Sequence, residues 1–192
     1  MGYRDEVYRK LIHIGSAVIP VAYLFFLDRQ AILWILGPAT GAILVGEILR
    51  MKYPFFTRLY KVIFGKFVRE EEDRMPTAAT FSLLGALSTV YVFEKNVAVF
   101  ALLVVSLGDA TAALVGRKWG KTPLLGKSVE GTGTFLFVAL MLAIFLPGLP
   151  RTPALAGAIF ATVVELLPSP VNDNLMVPLA TATSLSLIHL IS

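Results

Sequence analysis

Five ionisable residues stand at the ends of apolar stretches: His13, Glu47, Asp109, Glu165 and Asp173. Such groups are costly in or beside a membrane span unless they are paired or used, so each marks a candidate site. Asp109 is foremost. It lies in "SLGDATAALVG" (106–116), where Gly108, Ala112 and Gly116 stack at helical spacing and Asp109 with Ala113 forms the adjacent row. A small-residue face lets a neighbouring helix approach closely, which accounts for the glycines and alanines but not for the carboxylate.

The loop that follows, "GRKWGKTPLLGKSVEGTG" (116–133), sets Arg117, Lys118, Lys121 and Lys127 among Gly120, Gly126 and other glycines. Glycine lets backbone N–H groups reach an anion and the cations neutralise it, so the composition fits a polyphosphate cradle. Membrane-surface anchoring would explain the charges alone, but would not call for Ser128, Glu130 and the glycines. Two fragments approach a P-loop: "GRKWGKT" is one residue short, and "KTPLLGKS" has lysine where the first glycine belongs. Both follow an apolar helix rather than a strand, which argues against that motif. In "VELLPSPVNDNLMVPL", Asn172, Asp173 and Asn174 open a helix, either as caps or, facing Asp109, as ligands for Mg²⁺. Glu165, Glu47 and His13 each either support that site or sit at the membrane surface as helix-end polar groups.

The elements that must position these residues follow from hydropathy. Of 192 residues, 56% are hydrophobic and 16% charged, and the mean hydropathy is +0.75. This predicts an all-α integral membrane protein forming a single domain over residues 1–192. The absence of cysteine excludes disulfides and thiolate metal sites, and two distant histidines are too few for a histidine metal centre. Polar punctuation divides the chain into about seven expected transmembrane helices: 11–27, 31–49, 76–93, 97–115, 132–149, 153–167 and 174–191. The runs lack the alternation of a β-barrel. Arg4, Arg9 and Lys10 precede the first run without a cleavage motif, so it is expected to be a span rather than a signal peptide.

Seven spans place fourteen of the 17 lysines and arginines on one side, which predicts a cytoplasmic N-terminus. All five flagged ionisable residues fall on that side, suggesting one polar site open to the cytosol. An ion transporter would instead need carboxylates near the midplane with access from both faces. Between spans two and three, Phe56, Leu59, Ile63 and Phe67 recur at helical spacing in "PFFTRLYKVIFGKFV" (54–68), predicting a cytoplasmic interfacial amphipathic helix, as an anchor or a lid. A solvated turn, "REEEDR", is expected after it.

Taken together, "RKLIH" (9–13), "PTAATFSLLG" (76–85), "GDATAALVGRKWGK" (108–121), "GKSVEGT" (126–132) and "VELLPSPVNDNLMVPL" resemble the CTP-dependent lipid kinases. These are dolichol kinase, phytol kinase and the CTP-using diacylglycerol kinase of fungi, a group similar to the phosphatidate cytidylyltransferases. The resemblance implies transfer of the γ-phosphoryl group of CTP to a membrane lipid alcohol with Mg²⁺; the alternative is synthesis of a CDP-lipid from a lipid phosphate. It implies Asp109, Lys127 and Glu130 as catalytic residues, with Asp109 either metal ligand or base and with Ser128 and Glu130 shaping the loop. Arg117, Lys118, Gly120, Lys121, Gly126, Lys127, Ser128 and Asn174 are implied to bind the nucleotide, and Asp109, Asp173 and Asn172 the metal. His13, Glu47, Arg74, Thr77, Thr80 and Glu165 are supporting candidates. Ala78 stands where the family often has glycine, and Asn172 where it often has aspartate, leaving one carboxylate fewer for metal. The chain is far shorter than eukaryotic dolichol kinases and resembles a minimal catalytic core. Expected partners are CTP, the lipid alcohol and the bilayer, with no nucleic acid; the small-residue faces would permit a homodimer.

Overall fold

The computed structural model describes residues 3–64, 75–169 and 171–191. Arg74, the expected turn at 69–74 and the last residues of the expected interfacial helix, 65–68, lie outside the described residues. The described residues are all-α but for one small hairpin. In order come α1 (Tyr3–Gly15), α2 (Val18–Phe25), α3 (Arg29–Lys52), α4 (Pro54–Phe64), α5 (Ala78–Val92) and α6 (Lys95–Leu103). A π-helical segment, Val104–Asp109, leads into α7 (Ala110–Trp119). Then follow β1 (Pro123–Leu124), β2 (Lys127–Ser128), α8 (Val129–Phe145), α9 (Arg151–Leu166) and α10 (Asp173–Ile191).

Segments α6 and α7 with the π turn between them form one rod, Lys95–Trp119, and this rod is the axis of the bundle. Of its most apolar stretch 72% is buried, against 22% for α3 and 33% for α10. A helix apolar on every side belongs inside. One side of the rod packs Phe100 and Val104 against Phe135 and Ala139 of α8, Ala158 of α9 and Leu185 of α10. The other side packs Val99 and Leu103 against Tyr23 of α2, Ile32 and Leu36 of α3, and Val90 of α5. Small residues set these approaches. A Cβ at Gly108 would stand 3.1 Å from the Phe135 ring, and one at Gly131 would stand 3.0 Å from the carbonyl oxygen of Ala112. The Gly108/Ala112/Gly116 face is therefore the seat of α8.

The outward faces carry Trp34, Ile35, Ile48, Phe145 and Leu190, all well exposed. That apolar surface belongs in lipid, and the protein is a membrane protein. Among the described residues three helices are long and apolar enough to cross a bilayer, Arg29–Lys52, Lys95–Trp119 and Asp173–Ile191, while α5 and α8 are shorter apolar helices. Six of the seven expected spans coincide with single helices or the central rod. The first does not. The run at 11–27 is broken into α1 and α2 because the Ser16 hydroxyl donates to the His13 carbonyl (2.6 Å) and meets Ser106 Oγ (3.1 Å), while Pro20 has no N–H to continue the ladder. The glycine-rich loop contains the antiparallel hairpin β1–β2 with Leu124 opposite Lys127. Leu125 (φ 47°) and Gly126 (φ 84°) supply the two left-handed residues that such a two-residue turn requires.

A Cβ placed on Gly85 of α5 would overlap the backbone carbonyl of Asn174 at the start of α10, whereas one on Gly46 of α3 meets nothing within 4 Å. Gly85→Val is expected to destabilise the fold by about 1–3 kcal/mol or more through overpacking. Gly46→Ala should be neutral or stabilising by about 0.5–1 kcal/mol. Denaturant unfolding in detergent micelles compares the two.

Candidate active site

With Gly108, Ala112 and Gly116 committed to α8, the adjacent row of the rod, which begins at Asp109, faces α1. Asp109 closes the π-helical segment; wide turns of this kind occur inside α-helices mostly at functional positions. Its Oδ2 accepts a hydrogen bond from Lys10 Nζ at 2.6 Å. His13 Nε2 stands 3.5 Å from the same oxygen and 3.3 Å from the Val105 carbonyl. Lys10 and His13 lie one turn apart on α1, so a single helix face delivers both.

Two cavities flank this pair. The polar one, about 560 Å³, is lined by α7, the hairpin, the start of α8 and the facing ends of α9 and α10. Arg117, Gly120, Lys121, Gly126, Lys127 and Ser128 all contribute to it, as the sequence suggested. Ser128 Oγ caps α8 by accepting from Gly131 N (3.1 Å), and a Cβ on Gly116 would stand only 2.9 Å from that oxygen. Lys127 reaches across to Glu165 Oε1 (2.6 Å), to the Glu165 carbonyl and to Asp173 Oδ2 (3.5 Å). The apolar cavity, about 480 Å³, runs between α1, α5 and the rod, with Tyr60 of α4 and Ala78, Ser82 and Leu83 of α5 in its wall. Lys10 and Asp109 line both cavities. A hydroxyl entering from the apolar side and a phosphate entering from the polar side would meet there.

Other expected residues fall elsewhere. Glu47 is buried away from Asp109, where it ties α3 to the start of α5. Its Oε1 accepts from Thr77 N (3.1 Å), Thr77 Oγ1 (2.6 Å) and Thr80 Oγ1 (3.1 Å), and its Oε2 accepts from Arg50 (2.5 Å). Glu47 and Thr80 line neither cavity, while Thr77 also touches the apolar cavity. Glu130 does not line the polar cavity; its carboxylate accepts from Lys121 N (3.0 Å) and Thr122 N (3.4 Å) and so shapes the loop. Lys118 lies over the neighbouring Trp119 ring. Asn172 Oδ1 accepts from Asn174 N (3.0 Å) as a local cap and lines neither cavity. Asn174 lines the apolar cavity rather than the polar one. Lys10 was missed as a site residue because a basic residue before a first span reads as a topology signal; its one-turn spacing from His13 was the available clue.

Of the residues expected to hold Mg²⁺, Asp109 and Asp173 line the polar cavity and Asn172 does not; Glu165, expected in a supporting role, lines it too. Among the described residues no three histidine, aspartate or glutamate side chains form a metal cage by themselves. Mg²⁺ needs none, since it takes one or two protein carboxylates and completes its shell with phosphate oxygens and water. Glu165 Oε2 is buried without a hydrogen-bond partner, and Thr132 Oγ1 in the same cavity is likewise unpartnered. The residues fit such an ion.

Removing one member of a buried pair leaves an uncompensated charge, so Glu47→Ala is expected to cost about 3–5 kcal/mol. The double substitution Glu47→Met with Arg50→Met should recover part of that loss, as read from unfolding midpoints of the two proteins in micelles.

Comparison with known proteins finds 32% identity over 189 residues to uncharacterized protein RP860 of Rickettsia prowazekii, covering 93% of this chain and 92% of that one. CTP-dependent diacylglycerol kinase 1 of Schizosaccharomyces pombe is 37% identical over 90 residues, 46% of this chain and 41% of the yeast protein. CTP-dependent diacylglycerol kinase 1 of Saccharomyces cerevisiae is 28% identical over 134 residues, 68% and 46% of the two chains. The chain spans less than half the length of these yeast relatives. No family model and no solved structure matches it.

Proposed function

We propose, from the membership of the CTP-dependent lipid kinase family that the matches to the yeast enzymes support, that the chain transfers the γ-phosphoryl group of CTP to the hydroxyl of a membrane lipid alcohol of polyprenol, isoprenoid or diacylglycerol type. The observation that carries this reading is the sharing of Lys10 and Asp109 between an apolar and a polar cavity. The apolar cavity receives the chain of the acceptor lipid. The polar cavity receives the triphosphate, with Arg117, Lys121 and Lys127 neutralising it; the open backbone at Gly126, where a Cβ would meet nothing within 4 Å, allows close approach.

Phosphoryl transfer asks mainly for positioning and charge neutralisation. Asp109 accepts the hydrogen bond of the acceptor hydroxyl and aims its oxygen at the γ-phosphorus. As the new O–P bond forms and the bond to the bridging oxygen of CDP breaks, the hydroxyl proton passes to Asp109. Lys10, 2.6 Å from that carboxylate, keeps it ionised and placed. Glu165 and Asp173 would hold Mg²⁺, whose contribution when bound is to neutralise charge on the phosphates. Seven membrane-crossing segments with the N-terminus and this site on the cytosolic side complete the proposal, supported by the one-sided distribution of lysine and arginine.

Purified protein given CTP labelled at the α or the γ phosphorus, with polyprenol and diacylglycerol, tests the reaction. Label from the γ position is expected in the lipid; α-label there would replace the kinase reading with cytidylyl transfer. Asp109→Asn is expected to lower kcat by about 10³-fold, with nucleotide affinity largely retained in equilibrium binding. Substantial residual turnover would make Asp109 structural.

A further inference from the structure

We infer that Glu165 and Asp173 form a divalent-cation site whose present occupant is the ammonium of Lys127, a tethered competitor that the incoming cation displaces toward the nucleotide. The inference deepens the proposed kinase reading and rests on it for the identity of the nucleotide.

Lys127 was expected to bind phosphate, yet its ammonium is already engaged. An ammonium has three donor hydrogens, and Nζ faces three oxygens: Glu165 Oε1 at 2.6 Å, the Glu165 carbonyl, and Asp173 Oδ2 at 3.5 Å. Two carboxylates thus converge on one cationic point at the wall of the polar cavity. The arrangement is incomplete on one side. Glu165 is 4% exposed, and its Oε2 has no partner among the described residues. A buried carboxylate oxygen left unpaired is unfavourable, and an ammonium bound to Oε1 cannot relieve it. A divalent cation engages carboxylates in one- or two-oxygen fashion and retains sites for phosphate and water.

Displacement is sterically accessible to Lys127. Its side chain is 33% exposed, and it follows Gly126 in the hairpin turn, with the four-carbon stem of lysine to swing on. Once the cation neutralises Glu165 and Asp173, only the Glu165 carbonyl still accepts from Lys127, and the nearest new counter-charge is the triphosphate the cation brings. The divalent ion offsets both carboxylates, where the ammonium offset one, and Lys127 takes its own charge to the phosphates. That explains how one lysine can serve both as a carboxylate partner and as a phosphate ligand.

The probe is Mn²⁺, titrated by electron paramagnetic resonance into purified protein in detergent, with neither nucleotide nor lipid present. Removing the competitor's charge should tighten the site, so Lys127→Met is expected to bind one Mn²⁺ on the order of tenfold more tightly than wild type. Lys127→Gln, which keeps hydrogen-bonding capacity without charge, should do the same and covers failure of the methionine variant to fold. Lys127→Arg should stay near wild type. Adding Glu165→Gln to Lys127→Met should abolish the tightened site. Equal affinity of wild type and both uncharged variants, no binding by any of them, or a tight site surviving Glu165→Gln would each overturn the inference. Because no CTP or lipid is used, failure of the kinase assay leaves this result standing, and failure here leaves the kinase assay intact.

Discussion

A carboxylate inside an apolar helical bundle must find a counter-charge or a full set of donors, because lipid and packed alkyl groups offer it neither. That constraint organises this protein. Asp109 is matched by Lys10, Glu47 by Arg50 with two threonines, and Glu165 by Lys127. Each match also fixes a join between segments: α1 to the central rod, α3 to the entry of α5, and the hairpin to the end of α9. Tertiary position and charge compensation are satisfied by the same contacts.

Close packing makes room for those matches. Glycine and alanine on the rod let α8 seat directly against it, and Gly85 lets α5 meet the start of α10 backbone to backbone. With these helices drawn together, two cavities lie at the margins of the rod. One gap is walled by apolar residues of α1 and α5, the other by the cations and glycines of the hairpin. The ion pair of Lys10 and Asp109 is common to both. A reaction between a lipid-borne hydroxyl and a soluble phosphate needs such a boundary, where each substrate keeps its own solvent and only the reacting atoms meet.

Much of this could be read from residue order. Several helix positions followed from apolar runs, the expected stretches 31–49, 76–93 and 174–191 falling on α3, α5 and α10, and the small-residue ladder at Gly108, Ala112 and Gly116 identified the face on which a neighbour would sit. From the stretch of cations and glycines after Asp109, Arg117, Gly120, Lys121, Gly126 and Lys127 line the polar cavity. What could not be read shares a cause. Glu47 and Asp109 look alike in sequence, as carboxylates ending a span, but Glu47 is saturated by Thr77, Thr80 and Arg50 while Asp109 opens onto two cavities. The break at Ser16 depended on a hydroxyl contact with Ser106, ninety residues away, whereas the loop-shaping part expected of Glu130 involves neighbours in sequence and is seen in its contacts.

By itself the sequence determined the helical content, the membrane character and the residue types available for chemistry, because hydropathy, helical periodicity and turn preference act over a few neighbouring residues. Tertiary structure decided which charges meet. Lys10 and Asp109 are 99 positions apart, and Lys127 is separated from Glu165 by 38 and from Asp173 by 46. Electrostatic attraction depends on distance in space and on the surrounding dielectric, neither of which is a property of residue order. Only the packing of helices converts a list of ionisable residues into one boundary with an apolar side and a charged side.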